Sequence, residues 1–143
     1  MGQGSLTSRE REFEMEQQSS SIFFIVELEV KPGQVDELRS VMDEMVNLVR
    51  ANEPGTMNYE WFLNADGTAC YIFERYAEPA ALLLHTASFP QQLSQRSQAF
   101  RPIRLTAYGK LTEELRAKKI EPLLRAVPGI SVVLLERGSG VER

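Results

Sequence analysis

One histidine, His85, stands in a chain of 143 residues. An imidazole is the side chain best suited to giving or taking a proton near neutral pH. His85 closes an Ala-Leu stretch that reads as a short helix, so the alternative role is a cap on a last-turn carbonyl. Upstream lie Asn58, Tyr59, Trp61, Tyr71, Phe73 and Arg75, packed into two short runs. Trp61 and Tyr71, on one strand face with Tyr59 and Phe73, could clamp a planar ring such as a polycyclic phenol. Packing between sheets or subunits would use the same rings. The Asn58 amide could orient a phenolate or quinone oxygen, or be satisfied near a strand end. Arg75 could meet an anionic substrate, or pair with Glu44 or Glu60. Glu60 and Glu74 form a possible carboxylate pair, although each has Arg or Lys partners to meet.

Other chemistries lack their residues. One histidine and one cysteine, Cys70, far apart in sequence, do not make a metal set. No Gly-rich dinucleotide fingerprint follows the first strand, and no phosphate-binding loop is present, so flavin and nicotinamide have no motif here. No Ser-His or Cys-His nucleophile arrangement has a third member. What is left is cofactor-free chemistry, or binding without catalysis. The net charge of −4 and the absence of any basic block longer than Lys118-Lys119 argue against a nucleic-acid partner. No apolar run approaches a membrane span, no apolar leader core opens the chain, and the lone cysteine suits a reducing compartment. A cytoplasmic protein without a membrane partner is expected. With 43 % hydrophobic and 25 % charged residues, one globular domain is expected.

The elements that must position these residues can be read in order. Ile22 to Val30 is a strand, apolar on both faces at its start and therefore central. Pro32-Gly33 ends it. Val35, Leu38, Met42, Met45 and Val49 then recur at helical spacing. Thr56 to Leu63 and Ala69 to Tyr76 form a hairpin around a loop from Asn64 to Thr68 holding Asp66-Gly67. That loop would set Trp61 opposite Tyr71 and Tyr59 opposite Phe73, with Asn58, Glu60 and Phe62 on the other face; a one-residue slip would change this. Glu78-Pro79 begins the helix that ends on His85. Ser88 suits the N-cap of a second short helix, with Pro90 in its first turn and Leu93 and Phe100 inward. Ile103 to Lys110 is strand four. Thr112 caps a helix begun by Glu113-Glu114, which Pro122 should kink or stop. Ile130 to Leu135 is a late strand. Residues 1–21 form a polar arm with too little apolar surface to order alone, residues 22–137 the domain, and residues 138–143 a free tail.

The order β-α-β-β-α-α-β gives an α+β, ferredoxin-like split β-α-β unit: an antiparallel sheet with helices on one face. Its other face carries aromatic side chains and needs a partner. Four short motifs add to this: Pro54-Gly55, Tyr59-Glu60, Glu74-Arg75-Tyr76, and Ala81-Leu82 with His85. In this order the segment from about residue 22 to residue 110 resembles the antibiotic biosynthesis monooxygenase-like family. The resemblance implies a homodimer closed as a dimeric α+β barrel, and a cleft between the sheet and the helix carrying His85. It also implies a cofactor-independent monooxygenase that oxidises a small aromatic phenol to a quinone with molecular oxygen. His85 would be catalytic, and Trp61, Tyr71, Asn58 and Arg75 would bind substrate. The family's heme-degrading members pair a strand-one Asn and a strand-three Trp with a helical His. Only His85 survives that comparison, so no heme and no other cofactor is expected. Two other functions fit the same cleft: a non-catalytic dimeric binding or stress-response protein, and an isomerase or lyase acting on a small oxygenated metabolite.

Overall fold

The computed structural model of the chain describes residues 4–11, 21–88 and 97–143. Its five strands are β1 (Ile22–Val30), β2 (Thr56–Leu63), β3 (Ala69–Tyr76), β4 (Phe100–Tyr108) and β5 (Ser131–Leu135), in the spatial order β2-β3-β1-β4-β5. β1 is central, as its run of five apolar residues requires. The first four strands are mutually antiparallel neighbours, and β3 lies between β1 and β2, which is the ferredoxin-like arrangement. β5 is added parallel to β4 after a helical crossover.

Helix α1 (Val35–Asn52) buries Leu38, Val41, Met45 and Val49, one stripe at three- and four-residue spacing. Met42, expected in that stripe, is only partly buried beside it. Helix α2 (Pro79–Ala87) starts with Pro at its first position and buries Ala81, Leu82 and His85. The Thr112 hydroxyl accepts from the Leu115 amide and opens α3 (Glu113–Leu115). The helix then loosens into a π turn, Arg116–Ile120, and resumes as α4 (Glu121–Ala126). Pro122 does not stop it. Proline lacks an N–H and strains the helical turn before it, and here that turn is already π-wound. The short helix expected after Ser88 falls on residues 89–96, outside the described part of the chain. Phe100, expected inside it, begins β4 instead. β4 therefore starts earlier than the expected Ile103, and a bulge opposite Glu27 and Leu28 takes up the irregularity around Pro102.

The hairpin register differs by one residue from the expected one. Trp61 pairs with Ile72, Tyr59 with Glu74, and Phe62 with Tyr71. The cause is Asn64. Its amide N–H donates to the Ala69 carbonyl at 3.1 Å, and its side-chain oxygen accepts from the Ala69 N–H at 2.9 Å. Asn64 thus belongs to the ladder, and the loop is one residue shorter than expected. Asp66 tightens it by accepting from the Thr68 hydroxyl, and Gly67 takes the positive φ of 72°. Because side chains alternate along a strand, the shift sends Tyr71 and Phe73 to one face of the sheet and Tyr59 and Trp61 to the other.

The helices cover the face of Tyr59, Trp61, Cys70, Ile72, Glu74 and Tyr76. The fully buried Phe24, Leu82, Leu105 and Leu115 anchor the core there, each contributing about 1.5–3 kcal/mol by burial. The opposite face carries Phe23, Ile25, Phe62, Tyr71, Phe73 and Tyr108, and none of α1 to α4 covers it. The C-terminal tail is tied to this side: Glu142 meets Arg75 at 3.4 Å and Arg137 at 3.8 Å.

Pro54-Gly55 sets how closely β2 approaches α2. A Cβ at Gly55 would lie 2.8 Å from the Ala81 Cβ, closer than two carbons can stand. Gly55→Val should push α2 outward and cost roughly 1–3 kcal/mol, the usual penalty for overpacking. Denaturant unfolding would read this as a lower midpoint; an unchanged midpoint would show that α2 tolerates displacement.

Candidate functional site

Between the helix-covered face of the sheet and the helices lies a mainly apolar cavity of about 360 Å³. Val26, Leu28 and Ile72 form its floor, and Val41 and Met45 of α1 form one wall. The buried His85 of α2 lines it from inside, and the partly exposed Thr86 stands at its rim with Lys118 and Lys119 of the π turn. A second hollow of about 350 Å³ lies on the other side, between Phe23, Tyr108 and the tail. It contains none of the buried ionisable residues, so the first cavity is where proton chemistry can occur.

Among the described residues, three polar ones are buried almost completely: Glu53 (5 % exposed), Glu74 (4 %) and His85 (3 %). Glu53 is the residue at which α1 ends, and the turn through Pro54-Gly55 aims its side chain at α2. There its Oε1 lies 2.7 Å from His85 Nδ1 and also accepts from the Thr56 hydroxyl at 3.0 Å. A carboxylate at that distance fixes the ring: Nδ1–H donates to Glu53, and Nε2 keeps the lone pair. The rings of Tyr59 and Tyr76, with centroids 5.2 and 5.6 Å from His85, hold the imidazole from either side. An imidazole oriented by a carboxylate in this way can act as a general base.

Glu74 is a second buried carboxylate at this site. It lines the cavity and accepts from the Tyr76 hydroxyl at 3.0 Å. Burial, and then the charge of Glu74, hold the phenols of Tyr59 and Tyr76 well above their ordinary value, so both remain neutral donors. The Trp61 indole offsets a little of the Tyr59 shift without reaching hydrogen-bonding geometry. Its Nε1 and the Thr86 Oγ1 are buried without a hydrogen-bond partner among the described residues. Among the described residues, no group of three His, Cys, Asp or Glu is placed to hold a metal ion. No helix there is long and apolar enough to cross a membrane.

Of the residues singled out in the sequence, His85 and Trp61 meet in this cavity. Tyr71, Asn58 and Arg75 do not: all three lie on the uncovered face of the sheet. Arg75 Nε donates to Asn58 Oδ1 at 3.0 Å and its Nη1 reaches Glu142, in place of the expected Glu44 or Glu60. Asn58 in turn donates to Glu60, so Glu60 and Glu74 are on opposite faces and are not a pair. Nor does the His85 ring cap its helix; Nδ1 is committed to Glu53. The sequence pattern does not single out Glu53 and offers Glu74 only as a partner for Glu60, yet each carries a signal. Glu53 is an acid at the C-terminal end of a helix, where the dipole disfavours it. Glu74 is the one charge in the row Cys70, Ile72, Glu74, Tyr76.

This arrangement can be set beside known proteins. Residues 21–101 match the model of the antibiotic biosynthesis monooxygenase family. The chain belongs to this family. Rv0793 of Mycobacterium tuberculosis, a candidate monooxygenase by its description, is 32 % identical over 99 residues, covering 66 % of this chain and 96 % of its own. The solved structure of Rv0793 superposes with a TM-score of 0.51 at 29 % identity, over 66 % of this chain and 98 % of that one. MupZ from Pseudomonas fluorescens superposes with a TM-score of 0.69, over 87 % of this chain and 95 % of its own. At 18 % identity MupZ speaks for the fold alone. The family match contains both Glu53 and His85, and ends just inside β4.

Ionisation gives the helix-covered face of the sheet a pH signature. Burial pushes the Cys70 thiol from 9.0 up to about 11, and holds the Tyr59 and Tyr76 phenols above 10.0. All three are neutral in the fold where an unfolded chain would already have lost the protons. Their contribution to stability is complete below pH 9 and is lost as pH rises through the folded-state values. Thermal melts should therefore hold level from pH 7 to about 9 and fall beyond it. A melting temperature that stays level to pH 11 would contradict the burial of these groups.

Proposed function

We propose that the protein is a cofactor-independent monooxygenase that converts a small aromatic phenol to a quinone with molecular oxygen. The observation that carries this reading is the buried Glu53–His85 pair in the wall of an apolar cavity large enough for a fused-ring ligand. His85 Nε2 takes the phenolic proton. The negative charge spreads into the ring, and the carbon para to the oxygen becomes the electron donor. That carbon passes an electron pair to oxygen in single-electron steps, and a carbon–oxygen bond forms. Breaking the oxygen–oxygen bond with loss of the hydrogen on that carbon leaves one oxygen atom as the new carbonyl and the other as water. The phenol supplies the electrons, and the protein supplies a base, a fixed orientation and a dry site. Tyr59 and the Trp61 N–H are donors able to stabilise a ring oxygen as it gains charge.

Glu74 favours a second reading. A base and a separate buried carboxylate in one cavity can move a proton between two carbons of a ligand, which is isomerase or lyase chemistry. Oxygen consumption separates the two. A panel of phenols and hydroquinones should draw down oxygen in step with quinone formation, and His85→Gln should lower that rate by about 10²–10⁴-fold with the fold intact. Turnover without oxygen uptake would favour the second reading. Full activity in a folded His85→Gln variant would remove the base from both.

The working unit we propose is a homodimer. The uncovered sheet face presents Phe62 at 54 % exposure and Tyr71 at 44 %, beside the half-buried Phe23, Ile25, Phe73 and Tyr108. An aromatic face of this kind is stable in water when a second copy covers it, closing the two sheets into an α+β barrel. Tyr71, Asn58 and Arg75 then belong to association and not to the ligand. Light scattering at micromolar concentration should give twice the 16.2 kDa of one chain. A mass of one chain would defeat the dimer.

A further inference from the structure

The wall where α2 meets the π turn differs from the rest of the cavity. The other walls are apolar or carry acids: Glu74 lines the cavity, and Glu53 stands behind His85. This wall carries Lys119, half-buried on the rim, which makes no ion pair or hydrogen bond among the described residues. It also carries Thr86, whose hydroxyl is buried without a partner. Lys118, beside them, is already engaged by Glu114 at 2.8 Å, one helical turn away. A buried hydroxyl loses its water on folding, and that of Thr86 regains no partner among the described residues, while the half-buried Lys119 stands beside it with its charge unmatched there. The π turn accounts for the lysine: by widening the helix it brings Lys119 to the rim, where α-helical spacing would turn the side chain elsewhere.

From this we infer that the ligand is an acid, and that its carboxylate is received by Lys119 and Thr86. The inference rests on the reading that this cavity is the binding site, and it narrows the substrate class to aromatic compounds bearing a carboxylate. Polarity then orders the ligand from end to end. The carboxylate stays with Lys119 at the rim. It is kept from the inner end, where Glu74 would repel it. The ring system lies along the apolar floor, and its hydroxyl faces His85.

The test is direct binding. 9-Anthracenecarboxylic acid and its methyl ester, both fluorescent, are titrated into the full-length protein alongside decanoic acid and methyl decanoate, the last two by displacement of the dye or by calorimetry. The wild type should prefer the acid over the ester on the order of tenfold or more, as a charge-assisted contact in a partly dry site implies. Lys119→Gln should abolish that preference and leave ester affinity unchanged; Thr86→Val should reduce it. Lys110→Gln, on the other side of the sheet, should change nothing. Equal binding of acid and ester, or a preference that survives Lys119→Gln, would overturn the carboxylate site and leave the aromatic reading standing. Lys119-dependent binding of decanoic acid, with neither anthracene compound bound, would support the carboxylate site and count against an aromatic substrate. If no acid of either series binds, the carboxylate site is overturned.

Discussion

A carboxylate and an imidazole, both withdrawn from water, meet at 2.7 Å between the end of α1 and the middle of the protein. Much of the architecture around them serves that contact. α1 must end at Glu53, the chain must turn at once through Pro54-Gly55, and α2 must lie close enough for His85 to arrive. The smallness of Gly55 and Ala81 at their contact permits this approach. A buried pair of this kind is a weak source of net stability, because desolvating both partners offsets much of their attraction. Its value lies in orientation. The Thr56 hydroxyl and the two tyrosine rings leave Glu53 and His85 little freedom, so Nε2 is held in one place before any ligand arrives.

The sheet separates two kinds of aromatic residue. Tyr59, Trp61 and Tyr76 are turned to the helices and stand around the buried His85 and Glu74. Phe23, Phe62, Tyr71 and Phe73 are turned away, with Phe23 stacked on Tyr108 at 4.5 Å and set at an angle to Phe73. The same residue types thus meet different surroundings on the two faces. One set lies along the cavity side of the sheet, and the other forms an apolar surface that no described helix covers.

Much of the fold could be read from the chain because its signals are local. The apolar start of β1, the Pro at the start of α2, the Thr112 cap and the change of period after Tyr76 each depend on neighbouring residues alone. The site was less legible because it depends on register. A single hydrogen-bonded pair, Asn64 with Ala69, decides which face receives Trp61 and which receives Tyr71, and sequence pattern fits either loop length. Glu53 and His85 are 32 positions apart, and periodicity carries no trace of a contact that two helices make only after packing. The unpaired state of Thr86 and Lys119 is less accessible still, since it is a property of what surrounds them.

The π turn has a consequence of a different kind. A π turn holds one residue more than the α-helical turn it replaces, and one residue rotates everything downstream by about 100° around the helix axis. In genetic terms the rim that carries Lys119 is therefore a single-codon trait. Insertion or loss of one codon between Leu115 and Ile120 would exchange the side chain facing the cavity, while the sheet, Glu53 and His85 stayed where they are. The turn also lies beyond residue 101, where the match to the family model ends. If Lys119 receives the ligand as proposed, ligand preference is set outside the segment that the family match spans.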